Sequence, residues 1–314
     1  MGVLDLFRRA AAPLSRRLSP AQKEELFDDE FQRKLDYLAM VSKRVFTGAI
    51  RAERRTKRTG SGVEFADHRE YAPGDDFRYL DLHAYQRFDR LLLRLFEEEE
   101  DLSIYFIVDN SYSMGFGGGA KLRQAKRLCA ALAYVGLANL DRVAIVAANA
   151  EISGRMQSTR GKARIFRVFR FLERIQADGP TDLGTALRTF VAQHKRRGLA
   201  VVLSDLYDPA GFEHGINVLR YNKFEPFVLH VIDRRDKSPP LRGDLRLYDC
   251  ETGEEREVTV TAKVLERYGE AYEHYLEAVR RFCVSRQVSY FPADVATPFD
   301  ELILRVFRRG GFLR

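Results

Sequence analysis

From residue 102 onward, short apolar runs alternate with longer segments whose apolar positions recur at helical spacing. The short runs are rich in β-branched and aromatic residues, as is typical of buried strands. Strands are predicted over residues 103–109, 142–147, 199–205, 224–232 and 288–291. Helices are predicted over residues 121–139, 164–176, 183–197, 212–221, 262–285 and 298–307. This order indicates an α/β fold of the Rossmann type, a mostly parallel sheet with helices on both faces.

Two segments interrupt this alternation. A further strand is predicted near residues 152–156, where the spacing before the next helix is too short for a full crossover. Residues 244–260 carry Gly253 between alternating apolar positions, which predicts an inserted β-hairpin.

The N-terminal third has a different pattern. Apolar residues at helical spacing predict one amphipathic helix over residues 29–51, after a loosely packed arm. A glycine-rich stretch at 59–62 leads into a short strand, and residues 71–76 form a turn of Pro, Gly and Asp. We therefore expect an N-terminal helical arm over 1–58, an irregular or β-rich extension over 59–101, and the α/β domain over 102–314.

Composition narrows the class of protein. The chain has 314 residues, of which 45% are hydrophobic and 31% charged, enough for one sizeable core with an appendage. No apolar run approaches the ~20 residues of a membrane helix, and the N-terminus has no secretory-signal pattern, so we expect a cytoplasmic protein. The three cysteines form no C-x-x-C pair, and the six histidines have no zinc-ligand spacing.

The charge is unevenly distributed. The net charge is +7, and a basic stretch at 51–58 precedes an acidic run at 97–101. A basic segment can bind nucleic acid, but it is more often a solvated helix face or a contact for an acidic partner. Nucleic-acid binding is therefore the less favoured alternative for this segment.

The strongest chemical signal follows the first predicted strand of the α/β domain. The apolar run ends at Asp109, and Ser111 and Ser113 follow at two-residue spacing. In a tight loop this D-x-S-x-S pattern can point three oxygen atoms to one side, and Mg²⁺ or Mn²⁺ prefers oxygen ligands. The alternative is that Asp109 only ends the strand and that the serines cap the next helix.

Other strand ends provide matching oxygens. Asp205 ends another apolar run, and Thr181 lies in the loop that opens a helix. Ligands gather at the carboxyl ends of parallel strands, so both are candidate metal ligands. Their alternatives are a turn residue for Asp205 and a helix N-cap for Thr181, with Asp182 an equal candidate for the cap. Two aspartates would only just neutralise the charge of a divalent cation. The cation could therefore still bind one more anionic ligand, such as an acidic residue from another protein.

This set resembles the metal-ion-dependent adhesion site of von Willebrand factor A domains, whose pattern is D-x-S-x-S, then threonine, then aspartate. All five positions match: Asp109, Ser111, Ser113, Thr181 and Asp205. Upstream, the segments GSGVEF at 60–65, REYAPGDD at 69–76, RYLD at 78–81, RFDR at 87–90 and FEEE at 96–99 resemble the bacterial family called domain of unknown function fifty-eight (DUF58). One departure is Leu82-His83, where that family commonly has a tryptophan after the aspartate.

The resemblance implies a von Willebrand factor A-like fold and a non-enzymatic, metal-dependent protein-binding role. Proteins of this family resemble partners of MoxR-type AAA+ ATPases, which implies an adaptor or client-recognition role. A metal-dependent hydrolase remains an alternative, because a bound cation can activate water. The sequence has no D-x-D phosphatase pair, and the glycines before Lys121 are not followed by the G-K-[ST] ending of a phosphate-binding loop. We interpret this glycine stretch as a flexible loop before a helix.

The turn region between residues 64 and 81 carries closely spaced charges of both signs. Its favoured interpretation is a salt-bridged brace between the N-terminal extension and the α/β domain. Because a buried charge network brings little net stability, a partner-docking surface is the alternative.

Overall fold

A computed structural model describes the backbone of residues 26–53, 55–58, 64–99 and 102–308, and the side chains of 26–42, 67–95 and 102–308. The predicted arm before residue 26, the glycine-rich stretch at 59–62 and the side chains of the basic segment at 51–58 lie outside the described residues. The chain divides into two compact units, Met1–Val41 with Leu102–Phe312, and Ser42–Asp101 with Leu313–Arg314.

The predicted amphipathic helix and β-rich extension are both present. Helix α1 (Asp29–Glu53) is followed by β1 (Arg55–Arg58), β2 (Glu64–Glu70), α2 (Leu82–Phe88) and β3 (Leu92–Glu99). The three strands form an antiparallel sheet in the order β1-β3-β2. Strand β3 is therefore central, and its side chain Leu93 is fully buried.

The charged turn region forms local pairs within the smaller unit. Arg69 lies 2.8 Å from Asp75. Asp81 caps α2, lies 2.9 Å from His68 and lies 3.3 Å from Arg94. The His68 hydrogen bond, with the capped amides and Arg94, holds the pKa of Asp81 down at about 2 despite desolvation. These pairs fix the turn and the start of α2.

The larger unit contains a six-stranded sheet and a separate hairpin. Its strands are β4 (Ser103–Asp109), β5 (Arg142–Ala148), β6 (Ile152–Thr159), β7 (Leu199–Ser204), β8 (Glu225–Ile232), β9 (Gly243–Tyr248), β10 (Glu255–Val260) and β11 (Ser289–Asp294). The large sheet has the order β11-β8-β7-β4-β5-β6, and β9 pairs with β10 in its own two-stranded sheet. All neighbours in the large sheet are parallel except β6, which runs antiparallel to β5. The short connection into β6 and the inserted hairpin are thus both confirmed.

Helices cover both faces of this sheet. They are α3 (Tyr112–Ala138), α4 (Ile165–Arg174), α5 (Leu183–Gln193), α6 (Phe212–Tyr221), α7 (Ala262–Ser285) and α8 (Phe299–Arg308). Helices α5, α6 and α7 pack on one face through a cluster that includes Tyr105, Ile107, Phe190 and Val279. Helix α3 contacts β4, α4 and α8. The predicted Rossmann-like α/β fold is therefore confirmed. Among the described residues, no helix has the length and apolar character to cross a bilayer.

The largest departure from the predicted boundaries is the start of α3. The sequence predicts a flexible loop before Lys121, but helical structure begins at Tyr112. Gly117, Gly118 and Gly119 interrupt it with φ of 65°, 80° and 72°. Glycine adopts this left-handed conformation at no steric cost. The glycine run is therefore an ordered turn between two helical segments, not a break before a single helix.

Lys126 of α3 is a buried cation whose removal should stabilise the fold. Its Nζ donates to the carbonyl oxygen of Ile175, and burial lowers its pKa from 10.5 to about 8 although Glu173 acts in the opposite direction. Below pH 8 the folded protein must keep a charge that burial disfavours. The Lys126→Met variant should therefore be more stable than the wild type by roughly 1–2 kcal/mol at pH 7, after allowance for the lost hydrogen bond.

Urea unfolding from pH 7 to 11 checks this prediction. Between about pH 8 and 10.5 the unfolded chain binds more protons at Lys126 than the folded one, so wild-type stability rises with pH and the advantage of Lys126→Met disappears. Lys195→Met, at an exposed position, is the control and should show no such change. A gap that stays constant with pH would contradict the explanation.

Candidate metal centre

Asp109 lies where the sheet reverses its strand order. From β4 the chain adds β5 and β6 on one side, then β7, β8 and β11 on the other. Ligands of open α/β sheets bind at the carboxyl ends of strands at such a point. Val108 pairs with Leu203, so Asp109 and Ser204 follow side by side. The Ser204 hydroxyl donates to Oδ2 of Asp109, and the Ser111 amide donates to Oδ1 at 2.9 Å.

The two serines do not cap the helix in the expected way. Ser111 occupies the N-cap position of α3, but its side chain makes no capping hydrogen bond. Its Oγ instead lies 3.1 Å from Oγ of Ser113. The Ser113 hydroxyl in turn donates to Oδ1 of Asp205 at 3.2 Å. The D-x-S-x-S segment is thereby joined to the end of β7, 92 residues away.

Asp205 combines a turn with a buried ion pair. Its Oδ1 also accepts from the Tyr207 amide at 3.2 Å, as expected of a strand-ending turn residue. Its Oδ2 accepts from Lys121 Nζ at 2.7 Å, and Lys121 also donates to Asp236 at 3.2 Å. The side chains of Lys121 and Asp205 are 3% and 1% exposed. Asp205 is therefore both a candidate ligand and the partner of a buried cation.

Thr181 is available to the cluster because the next residue, Asp182, caps α5 in its place. Asp182 is the N-cap of α5 and accepts from the Thr185 amide. Thr181 donates through its amide to Oε2 of Glu251 at 2.6 Å and through its hydroxyl to Oε1 at 3.1 Å. Oε1 also accepts from the Ser113 amide at 2.9 Å. All five predicted residues thus belong to one hydrogen-bonded network, in which Glu251 connects Thr181 to the others.

The sequence did not point to Lys121 or Glu251. Lys121 follows glycines that lack the phosphate-loop ending, and Glu251 lies in a hairpin turn 138 residues from Ser113. A lone lysine or a turn glutamate carries no motif, so only the tertiary contacts identify their positions.

Buried charge dominates the electrostatics of the cluster. Desolvation first, and then the charge of Asp205, raises the pKa of Asp109 to about 7. For Lys121, burial acts to lower the pKa, but Asp205 and Asp236 outweigh it and the pKa is raised. Burial, with the charge of Asp205, also raises the pKa of Glu251. The cluster therefore concentrates more negative than positive charge, which an additional cation would offset.

The chemistry of the donors fits a hard cation. The candidate set supplies only oxygen atoms, from two carboxylates and three hydroxyls, and such donors suit Mg²⁺ or Mn²⁺. Within the described part of the chain, no group of three or more His, Cys, Asp or Glu side chains has a metal-binding arrangement. A metal at this position would accordingly depend on the hydroxyls of Ser111, Ser113 and Thr181 as well as on the aspartates.

Fold and site together define an open, Rossmann-like α/β protein with carboxylates and hydroxyls clustered at the switch point of its sheet. The sequence pattern of the family described as "Protein of unknown function DUF58" matches residues 67–277, about two thirds of the chain. The chain belongs to this family, as its upstream motifs indicated.

Relatives of this chain occur in mycobacteria. The uncharacterized protein Rv1480 of Mycobacterium tuberculosis is 25% identical over 252 residues, 79% of either chain. The uncharacterized protein MAV169 of Mycobacterium avium is 31% identical over 116 residues, covering 37% of this chain and 65% of the relative.

Solved structures with detectable similarity are more distant. BatB from Bacteroides thetaiotaomicron has a TM-score of 0.38 at 13% identity, covering 66% of this chain and 99% of its own. An aerotolerance-related membrane protein from Bacteroides fragilis has a TM-score of 0.40 at 14% identity with the same coverage. At these scores neither protein bears on the function of this chain.

Proposed function

We propose that this protein is a non-enzymatic, metal-dependent protein-binding module with a von Willebrand factor A-like site. Asp109, Ser111, Ser113, Thr181 and Asp205 would hold Mg²⁺ or Mn²⁺ at the carboxyl edge of the sheet. The observation that carries the proposal is their convergence: three segments far apart in sequence meet in one hydrogen-bonded cluster, which Thr181 joins through Glu251. The capping explanation does not hold for Ser111 or Thr181, and a turn at Asp205 does not by itself explain the shared position at the switch point.

The cluster has the electrostatic character that such a role needs. Asp109 and Asp205 supply the negative charge, and Lys121 already neutralises part of it. When bound, the metal ion would supply the positive charge that attracts an acidic side chain of a partner. The hydroxyls orient the donors, since Ser111 and Ser113 contact each other and Ser113 contacts Asp205.

The partner we propose is a MoxR-type AAA+ ATPase, for which this protein would act as an adaptor or in client recognition. This choice rests on the likeness of the motif-bearing segments to proteins associated with such ATPases. At the metal site, the contact from the bound protein would be the carboxylate of an aspartate or glutamate.

A tagged pull-down from native lysate tests both parts. The wild type should recover the AAA+ ATPase in Mg²⁺ and lose it in chelator, and Asp109→Ala should fail to recover it in either condition. Glu213→Ala, at an exposed position on α6, is the control and should behave as the wild type. Recovery of the ATPase by Asp109→Ala, or equally well in chelator, would show that the metal site is not the contact.

A further inference from the structure

The carboxylate of Glu251 occupies a position built from three donors. It accepts from the Ser113 amide at 2.9 Å, the Thr181 amide at 2.6 Å and the Thr181 hydroxyl at 3.1 Å. Ser113 belongs to the first turn of α3, where backbone amides have no partner within the helix. The donors therefore form a binding position for a carboxylate, and Ser113 and Thr181 are also candidate metal ligands.

Glu251 is half-buried, and its carboxylate is held by the three hydrogen-bond donors of Ser113 and Thr181. The ion pairs formed among the described residues do not include Glu251. A carboxylate held by donor groups alone, beside another carboxylate, is easier to exchange than one that is locked by a cationic side chain.

The element that carries Glu251 is not part of the six-stranded sheet. Strands β9 and β10 pair with each other in a two-stranded sheet of their own, and a hairpin of this size contributes little stability by itself. Most of its residues are exposed or half-buried, with Leu247, Asp249 and Val260 as the buried positions. The hairpin could shift without breaking any pairing of the six-stranded sheet.

The tip of the hairpin is nevertheless well ordered. The Asp249 side chain accepts from the amides of Glu251 at 2.9 Å and Thr252 at 3.3 Å. The Gly253 amide donates to the Asp249 carbonyl at 2.8 Å, and the φ of 71° at Gly253 is one that glycine adopts readily. These bonds present Glu251 in a fixed conformation, which lowers the entropy that its binding must overcome.

We propose that Glu251 is an internal ligand at the carboxylate-binding position of this site, and that a partner protein binds by placing its own aspartate or glutamate there and displacing the hairpin tip. The inference rests on the proposed function for the neighbouring metal ion and extends it, because it specifies what a partner must displace. In the wild type the tethered carboxylate competes with every external one, so the apparent affinity for a partner is reduced by the fraction of molecules in which Glu251 is bound.

Peptide binding to the full chain tests this competition. The probe is a fluorescein-labelled glycine–serine peptide with one central glutamate, and the matched probe carries glutamine instead. In Mg²⁺, Glu251→Ala should bind the glutamate peptide at least about tenfold more tightly than the wild type. The glutamine peptide should gain nothing. Glu251→Gln, which keeps the shape of the side chain and loses its charge, should bind with intermediate affinity and guards against a loss of folding in the alanine variant.

The control is Glu254→Ala, three residues along the same turn, at an exposed position where the carboxylate lies 3.7 Å from Arg256. It should bind the peptide as the wild type does. Hydrogen exchange gives an independent result: the glutamate peptide should speed exchange of the wild-type hairpin over residues 243–260.

Equal affinity of wild type and Glu251→Ala, no peptide binding by Glu251→Ala, or an equal gain in Glu254→Ala would each overturn the role of Glu251. Mn²⁺ binding, followed by electron paramagnetic resonance, separates this failure from failure of the proposed function. Mn²⁺ bound with no gain in Glu251→Ala leaves the metal site standing and overturns the internal ligand. A tenfold gain in peptide affinity in Glu251→Ala, without any Mn²⁺ binding, supports the internal ligand and overturns the metal site.

Discussion

Asp109→Asn should abolish stabilisation of this protein by Mg²⁺ and at the same time make the metal-free protein more stable. The two effects should have opposite signs, because we propose this carboxylate as a metal ligand and because its charge is buried in the metal-free fold. Burial and the charge of Asp205 raise the pKa of Asp109 to about 7, so the ionised group is disfavoured wherever no cation is bound. Removal of its charge relieves both the desolvation and the repulsion.

The neutral amide can keep much of the local geometry. Its oxygen can accept from the Ser111 amide as Oδ1 does now, and its NH₂ can donate to the Ser204 hydroxyl oxygen. A pKa displaced by about three units corresponds to roughly 4 kcal/mol as an upper bound. Since the asparagine must reverse one hydrogen bond, we expect about 1–3 kcal/mol of added stability in chelator.

Metal affinity should fall at the same time. One of two carboxylates is lost, and we expect Mn²⁺ affinity to fall by at least about 100-fold, which corresponds to about 2.7 kcal/mol. Urea unfolding in chelator and in Mg²⁺, with Mn²⁺ titration followed by electron paramagnetic resonance, measures both effects. Asp244→Asn, an exposed position on β9, should leave both unchanged. A variant that is destabilised in chelator, or that still binds Mn²⁺ as the wild type does, would contradict the site.

Lys121→Met should cost the metal-free protein about 3–5 kcal/mol, the largest stability loss that we expect from a single charge in the cluster. Lys121 lies between Asp205 at 2.7 Å and Asp236 at 3.2 Å, and the three side chains are 3%, 1% and 13% exposed. Methionine fills a similar volume, but it leaves two buried carboxylates without a countercharge. The loss therefore reflects the unpaired acids and not a cavity.

The same substitution should strengthen metal binding. Lys121 and a metal ion would compete for the carboxylate of Asp205. Removal of the ammonium group would leave that carboxylate available to the metal ion. We expect Mg²⁺ to restore a larger part of the stability in Lys121→Met than it adds to the wild type, and Mn²⁺ affinity to rise by about tenfold, or 1.4 kcal/mol. Unfolding with and without Mg²⁺ measures the rescue.

Lys237→Met is the matched control, because Lys237 forms an exposed 2.7 Å pair with Glu273. Exposed pairs are worth about 0–1 kcal/mol, so this variant should unfold close to the wild type, and its response to Mg²⁺ should be unchanged. If Mg²⁺ fails to rescue Lys121→Met, then Asp205 is a structural partner of the lysine and not a metal ligand.

The sequence predicted the sheet and most helix boundaries because their signals are local. A buried strand such as β4 must be apolar on both faces, and amphipathic helices such as α6 and α7 repeat their apolar positions every turn. The predicted ranges 212–221 and 262–285 agree with the observed helices. The start of α3 could not be predicted in this way, because glycines usually mark a break and only the fold shows them as an ordered turn.

The candidate ligands could also be identified from the sequence, since each lies directly after a recognisable strand or before a helix. Which of these residues cap the helices could be decided only by contacts. Asp182, and not Thr181, caps α5, and Ser111 makes no capping bond. A capping residue and a ligand have the same residue types, so local sequence cannot distinguish them.

The sequence by itself therefore determined the α/β class, the family and the oxygen-rich residues at the strand ends. Only the tertiary structure decided that Lys121 neutralises Asp205 and that Glu251 reaches the amides of Ser113 and Thr181. The physical reason is that periodicity and capping act over a few residues, whereas these contacts join positions 84, 138 and 70 residues apart. Such partners leave no pattern in the chain, because any lysine or glutamate brought to that place by the packing would satisfy the same charge.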